Sequence, residues 1–147
     1  MIAVIQRCSQ GKVTVNQSTV GEIGQGLVVL LGVAENDQEK DADYLVHKMK
    51  HFRIFNDHND KMNLSLLDIG GSALVISQFT LCGDTRKGRR PSFLGAASPE
   101  KGNALYEYFI AQMSQEGVPV QSGEFGATMD VSLVNDGPVT FVLDSTQ

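Results

Sequence analysis

One short segment places several hydrogen-bonding side chains where an apolar stretch ends. Ser77, Gln78 and Thr80 surround Phe79 in the sequence SQFTL, directly after the apolar run that begins at Ala73. A strand end whose side chains satisfy its own backbone explains these residues without any function. A binding or catalytic segment at the edge of a sheet would have the same composition, so both interpretations stay open.

A second segment, NDGPVT at residues 135–140, places Gly137 and Pro138 between two predicted strands. An ordinary hairpin turn accounts for a Gly-Pro pair. An X-Pro bond is also one of the few positions where a cis peptide is tolerated, and a cis bond would hold two carbonyl oxygens in nearly the same direction. Such rigid acceptors are suited to binding an ammonium group.

The usual side-chain apparatus of enzymes is missing from this sequence. His47 and His51 have the spacing of paired zinc ligands, but both project away from the apolar face of the predicted helix, and no glutamate lies between them. Cys82 has no evident activating histidine and is expected to pack as a small apolar residue. No nucleophile elbow, phosphate-binding loop or dinucleotide fingerprint occurs. We therefore expect neither a metal nor a cofactor.

Positive charge is concentrated in one place on an acidic chain. The net charge is −5, yet four of the twelve basic side chains, Arg86, Lys87, Arg89 and Arg90, fall within five positions. A patch of this kind attracts a polyanion locally while the rest of the surface repels it. A solvated loop without a partner is the alternative.

Length and composition predict one folded domain over residues 1–147. The chain has 147 residues, of which 41% are hydrophobic and 20% are charged, as in an ordinary globular protein. The longest apolar run is too short to span a membrane, and the first residues lack the basic region of a secretion signal. Two cysteines are too few for a disulfide framework, which indicates a reducing compartment and a cytoplasmic location.

Hydrophobic periodicity predicts two helices among many short strands. Ala42, Leu45, Val46 and Met49 have helical spacing after a capping box formed by Asn36 and Glu39. The second helix begins with Ser98 as N-cap and Pro99 at the first position, and Gly117 closes it. Strands are expected over 2–8, 12–15, 19–23, 27–33, 73–79, 118–122, 129–134 and 139–143. The fold class is therefore α+β, with a curved, barrel-like sheet covered by two helices.

These segments resemble the D-aminoacyl-tRNA deacylase family, also called D-tyrosyl-tRNA deacylases. SQFTL and the N-x-G-P-V-T pattern match the two signature segments of the family. The resemblance extends over essentially the whole chain, through MIAVIQR at the start, GEIGQGLVVLLGV, DADYLVHK, HFRIF, KMNLSL and DTRKGRRPSF.

The resemblance implies an enzyme that hydrolyses the ester between a D-amino acid and the 3′ end of tRNA. It implies a homodimer whose active site lies at the subunit interface, where Gly137 and Pro138 of one subunit enter the pocket of the other. The catalytic segment would be Ser77, Gln78, Phe79 and Thr80, with backbone N–H groups at Phe79 and Thr80 binding the oxyanion and the tRNA 2′-hydroxyl assisting.

Further roles follow from the same resemblance. Arg7, Met129 and Phe125 would hold the Gly-Pro segment and the pocket. Arg86, Lys87, Arg89 and Arg90 would contact tRNA phosphates, and neither DNA nor a membrane is an expected partner. Rejection of L-amino acids would be steric, so achiral glycine on tRNA would also be hydrolysed.

Two other functions remain open. A noncatalytic nucleic-acid-binding module would use the basic loop with Phe79 and Phe93 as stacking groups. The net negative charge of the chain and the absence of a stripe of alternating basic and aromatic residues argue against this module. A homodimer that binds a small metabolite is the other alternative, and it would bind its ligand without RNA.

Overall fold

The sheet is organised around its first strand. A computed structural model describes residues 1–147. It contains β1 (Ile2–Val15), β2 (Ser18–Ile23), β3 (Gly26–Gly32), α1 (Glu39–His51), β4 (Phe55–Asn56), β5 (Met62–Leu64), α2 (Leu66–Ile69), β6 (Ser72–Ser77), α3 (Pro99–Gln115), β7 (Val120–Ser122) and β8 (Asp130–Asp144). β1 pairs antiparallel with β2 and β3, and also with β8. None of the helices is both long enough and apolar enough to cross a membrane.

The sheet is mixed and nearly closes on itself. Its strand order is β2-β1-β3-β6-β7, with β8 attached to β1, and the β3–β6 and β6–β7 pairs are parallel. β2 and β7 approach closely, because a Cβ atom built on Gly21 would lie 2.6 Å from the carbonyl oxygen of Ser122. The predicted α+β class with a barrel-like sheet is confirmed.

Consecutive residues of β3 face two separate apolar clusters. Leu27, Val29 and Leu31 belong to the larger cluster, which includes Phe109 of α3, whereas Val28 belongs to the smaller one with Leu74. Side chains alternate between the two faces of a strand, so β3 and the adjoining β6 are buried on both sides. This double burial explains why both strands are continuous apolar runs in the sequence.

Several predicted boundaries are wrong. The strands expected over 2–8 and 12–15 form one strand, and those over 129–134 and 139–143 also form one. The strand expected to reach Phe79 ends at Ser77. The capping box of α1 is formed by Gln38 and Asp41 rather than by Asn36 and Glu39, because the helix begins at Glu39.

The end signals of α3 are confirmed, and three short elements were not predicted. Ser98 Oγ accepts a hydrogen bond from the Lys101 amide, and Gly117 follows the helix with φ +95°. The amides of Gly117 and Val118 donate to the carbonyls of Ser114 and Met113, which is the Schellman arrangement. The unpredicted elements are β4, β5 and the four-residue helix α2, all too short for a periodic signal.

Gly26 provides a test of the β3–β6 pairing. A Cβ atom at Gly26 would lie 1.8 Å from the carbonyl oxygen of Ser72, and the φ of +157° disfavours side chains. We expect Gly26→Ala to lower the free energy of unfolding by more than about 2 kcal/mol, because backbone must move. Gly24→Ala is the control, since nothing lies within 4 Å of its Cβ, and we expect a change within about 0.5 kcal/mol. Urea denaturation measures both, and equal losses of stability would contradict this account.

Candidate active site

A cavity of about 580 Å³ opens where β6 leaves the sheet. Its walls come from three places: the end of β6, the chain that leads into α3, and the loop before β8. The lining is mostly apolar. It includes Ser77, Gln78, Phe79, Phe93, Ala96, Ala97, Ser98, Gly102, Tyr106, Phe125 and Met129. Of the predicted site residues, the structure thus brings together Ser77, Gln78, Phe79, Phe125 and Met129.

The segment after β6 presents two free backbone donors. The Gln78 amide donates to the Leu31 carbonyl at 2.8 Å, which extends the parallel pairing by one residue. A 3-10 helical turn, Phe79–Cys82, follows. The first N–H groups of a helical turn have no acceptor within it, and none of the hydrogen bonds formed by loops, caps or side chains uses the Phe79 or Thr80 amide as a donor.

The first two side chains of this turn, Phe79 and Thr80, are exposed. Phe79 is 58% exposed and packs edge to face on Phe93, with 5.0 Å between the ring centroids. The Thr80 hydroxyl accepts a hydrogen bond from Gln78 Nε2. Thr80 itself does not line the cavity, and no histidine, carboxylate or amine contacts its hydroxyl. This threonine therefore lacks the base that an activated nucleophile needs.

The start of α3 forms a wall that the sequence analysis did not assign to the site. Tyr106 is buried and its hydroxyl donates to the Val75 carbonyl at 2.8 Å. Its ring packs against Phe125 at 5.8 Å. Gly102 leaves room for this contact, since a Cβ there would lie 3.4 Å from Phe125 Cζ. Gly102 was the one irregular residue in this part of the predicted helix, and a glycine there does not by itself indicate a binding site.

Gly137 and Pro138 lie in a bulge of β8 outside the cavity. The pairing of β1 with β8 passes from Gln6↔Thr140 to Cys8↔Asn135, so residues 136–139 face Arg7 alone. The Gly137–Pro138 peptide bond is cis, and both residues are exposed. Asn135 spans the bulge, because its Oδ1 accepts a hydrogen bond from the Val139 amide at 2.9 Å.

Arg7 lies beneath this bulge and is only 6% exposed. Its Nε donates to the Asp136 carbonyl at 2.9 Å and lies 3.4 Å from Asp136 Oδ2. Its Nη1 donates to the Ile54 carbonyl at 2.8 Å. Arg7 therefore contacts the Gly-Pro segment but does not line the cavity with Met129 and Phe125, so the structure divides this predicted group.

The four basic residues of the 83–95 loop are exposed but not equivalent. Arg86 forms an ion pair with Asp84 at 2.7 Å, and its hydrogen bonds lower the pKa of Asp84 to about 2. Lys87, Arg89 and Arg90 form no ion pair in the structure. Three cations in this loop are therefore free for an external anion.

The remaining reactive side chains lie apart from the site or are protonated. Burial raises the pKa of the Cys82 thiol, so the thiolate is scarce at neutral pH. Burial likewise raises the pKa of Cys8. The rings of His47 and His51 contact each other on the exposed face of α1, and no group of three histidine, cysteine or acidic side chains has metal-binding geometry.

A family model described as D-Tyr-tRNA(Tyr) deacylase matches residues 4–144. The chain belongs to this family of enzymes. A D-aminoacyl-tRNA deacylase of Clostridioides difficile is 57% identical over 147 residues, covering 100% of this chain and 99% of the relative. Another, from Pseudoalteromonas translucida, is 59% identical over 143 residues and covers 97% and 99%.

Solved structures share the fold of this chain. A protein described as c-Myc DNA Unwinding Element Binding Protein superimposes with a TM-score of 0.93 at 37% identity, over 98% of both chains. A probable eukaryotic D-amino acid tRNA deacylase superimposes with a TM-score of 0.82 over 97% of this chain and 98% of its own. Because the two sequences are only 22% identical, this superposition shows a common fold and no more than that.

In this deacylase fold, the cavity and the free amides are adjacent. Gln78 and Phe79 line the cavity, and the Phe79 and Thr80 N–H groups belong to the same turn. Unpaired backbone donors beside an apolar pocket are the arrangement that stabilises a developing oxyanion during acyl transfer. The site can therefore support ester hydrolysis without a nucleophilic side chain.

Proposed function

We propose that this protein hydrolyses the ester bond of D-aminoacyl-tRNA and releases a D-amino acid and free tRNA. The observation that carries the proposal is the apolar cavity with the Phe79 and Thr80 amides at its edge, in a chain of the deacylase family. Such an enzyme keeps D-amino acids out of protein. It works where aminoacyl-tRNA is used in translation, in the cytoplasm.

The proposed mechanism relies on position rather than on a covalent intermediate. An aminoacyl ester is already activated, so holding a water molecule against its carbonyl lowers the barrier substantially. The water adds to the carbonyl carbon, and the Phe79 and Thr80 amides bind the oxyanion; the oxyanion then collapses, the bond from the carbonyl carbon to the ribose 3′-oxygen breaks, and that oxygen takes up the proton that the water gives up. The neighbouring 2′-hydroxyl of the terminal ribose assists. Ser77 and Gln78 shape the cavity at this point.

The proposed selection of D-amino acids depends on a second copy of the chain. Gly137 and Pro138 are exposed and lie outside the cavity of their own chain, which supports their insertion into the cavity of a partner. Their carbonyl oxygens would bind the α-ammonium group there. The side chain of a D-residue then points to solvent, whereas that of an L-residue collides with backbone. Glycine has no side chain, so glycyl-tRNA is a substrate as well.

The surface of β8 supports a homodimer. β8 pairs with β1 along one edge, and no strand covers its other edge. Three valines on it are exposed: Val131 at 37%, Val134 at 47% and Val142 at 69%. A long edge strand with exposed apolar side chains is expected to be covered by another chain. Association through β8 would also bring the Gly137–Pro138 bulge to the partner.

The activity is tested with matched D-Tyr-tRNA, L-Tyr-tRNA and Gly-tRNA. We expect rapid hydrolysis of the D-substrate and of Gly-tRNA, no acceleration with the L-substrate, and no effect of a chelator. Thr80→Ala should retain the rate to within about threefold, because its proposed role is a backbone amide, whereas loss of a nucleophile costs several orders of magnitude.

The contrary outcomes separate the alternatives. Tight tRNA or DNA binding without hydrolysis would favour the noncatalytic nucleic-acid-binding module. Binding of free D-tyrosine that needs no RNA would favour the small-molecule homodimer. Complete resistance of Gly-tRNA would contradict steric selection, and inactivity of Thr80→Ala would contradict the proposed mechanism.

Val142→Glu tests the dimer. A charge at this exposed position costs the folded monomer little, but it introduces facing charges at an interface through β8. We expect a monomer at micromolar concentration by light scattering, and deacylation that recovers as protein concentration rises. Val20→Glu, on β2 at 42% exposure, is the control and should stay dimeric. Unaltered dimerisation of Val142→Glu would exclude β8 as the interface.

The basic loop is proposed to contact tRNA phosphates through Lys87, Arg89 and Arg90. Replacing Lys87 and Arg89 with glutamate should raise KM. It should also reduce the slope of log KM against log salt concentration by about one for each lost contact. Lys40→Glu combined with Lys48→Glu, at two exposed positions of α1, is the charge-matched control and should change neither. An unchanged salt slope in the loop variant would assign tRNA binding to another surface.

A further inference from the structure

The β4–β5 hairpin reaches the Gly-Pro bulge through Arg7. Asn56 Oδ1 accepts a hydrogen bond from Arg7 Nη1 at 3.1 Å, beside the Ile54 carbonyl that accepts from the same nitrogen at 2.8 Å. On its other side, the Arg7 guanidinium donates to the Asp136 carbonyl. One buried cation thus joins two segments that are eighty positions apart in the sequence.

The other end of the Asn56 amide is also engaged. Its Nδ2 donates to Asp60 Oδ1 at 2.9 Å. A guanidinium only donates and a carboxylate only accepts, so this pair of neighbours determines which side of the amide faces Arg7. A continuous path of hydrogen bonds therefore runs from Asp60 through Asn56 and Arg7 to the backbone of Asp136.

The loop between β4 and β5, which contains Asp60, is held in its conformation by hydrogen bonds to Asp57. Asp57 Oδ1 accepts hydrogen bonds from the amides of Asn59 at 2.8 Å and Lys61 at 3.1 Å. Its Oδ2 accepts from Asn63 Nδ2 at 3.1 Å. These bonds lower the pKa of Asp57, so the carboxylate keeps the loop in place at neutral pH.

We propose that Asn56 is a positioning residue that, through Arg7, fixes the Gly137–Pro138 bulge for selection between D- and L-substrates. The inference rests on the proposed function, because it assigns Asn56 to the same site. A buried guanidinium needs acceptors around it, and only one of its partners, Asp136, is charged. Loss of the Asn56 acceptor allows the guanidinium to rotate, and the Asp136 carbonyl then moves with it.

The primary test compares Asn56→Ala with Asn59→Ala. Both residues are exposed in the β4–β5 hairpin, Asn56 at the end of β4 and Asn59 in the loop that follows, but the Asn59 side chain makes no hydrogen bond to the protein. We expect Asn56→Ala to lower the ratio of D-Tyr-tRNA to L-Tyr-tRNA hydrolysis by about threefold to tenfold, the effect of one typical hydrogen bond. Asn59→Ala should match the wild type in selectivity and Tm, and Asn56→Ala should melt within about 5 °C of it.

Two further variants show whether Asn56 acts through its neighbours. Asn56→Asp alone places two carboxylates together and should impair selection, whereas combining it with Asp60→Asn restores one donor and one acceptor and should recover it. In an Arg7→Lys background, which removes the guanidinium fork, Asn56→Ala should have no additional effect.

The amide spectrum separates failure of this inference from failure of the proposed function. In ¹H–¹⁵N spectra we expect the Gly137 and Val139 resonances to shift in Asn56→Ala and not in Asn59→Ala, whether or not the protein hydrolyses D-aminoacyl-tRNA. Wild-type selectivity and unshifted resonances in Asn56→Ala would overturn the inference while leaving the activity intact. An undiminished effect in the Arg7→Lys background would also overturn it, because Asn56 would then act independently of Arg7.

Discussion

The burial of β3 and β6 on both faces is the constraint from which the site geometry follows. Two parallel strands packed in apolar clusters on both faces cannot shift by one residue without moving every side chain into the cluster on the opposite face, where its shape does not fit. The end of β6 is therefore fixed relative to β3, and the Gln78 amide still pairs with the Leu31 carbonyl. The next residue is the first that is free of the ladder. The turn that carries the Phe79 and Thr80 amides therefore begins directly after the last residue whose position this pairing fixes.

The same constraint explains what the sequence could predict. The apolar runs of β3 and β6 and the cap residues of α3 carry local signals, and the structure contains each of these elements, although β6 ends at Ser77 rather than Phe79. The start of α1 was misplaced because Asn36 with Glu39 and Gln38 with Asp41 are both acceptable capping pairs, and only packing selects one. The fusion of the predicted strands within β1 and within β8 had no local signal, because the bulge at residues 136–139 is accommodated by pairing between distant segments.

The composition of the site was less predictable than that of the core. SQFTL marked one wall of the cavity, whereas the wall at Ala96, Ala97 and Gly102 is made of small residues that carry no chemical signal. Arg7 contacts the Gly-Pro bulge and Met129 lines the cavity, and no local pattern in β1 or before β8 indicates which of the two each residue reaches. The contact of Asn56 with Arg7 joins residues 49 positions apart, and no motif in either segment indicates it.

The proposed selection by backbone contacts requires the bulge at residues 136–139 to be rigid, so the residues around the bulge are important to it. A tenfold preference corresponds to about 1.4 kcal/mol, an amount that a small displacement of a hydrogen-bond acceptor removes. Exposed residues such as Gly137 and Pro138 have few packing contacts, so their position depends on the hydrogen bonds made by the neighbouring residues of the bulge. Asn135 supplies one within the bulge, and Arg7 supplies another from β1. The Ile54 carbonyl and the Asn56 side chain fix the orientation of Arg7. Arg7 can therefore hold the bulge in position, which a flexible cation at the same place could not do.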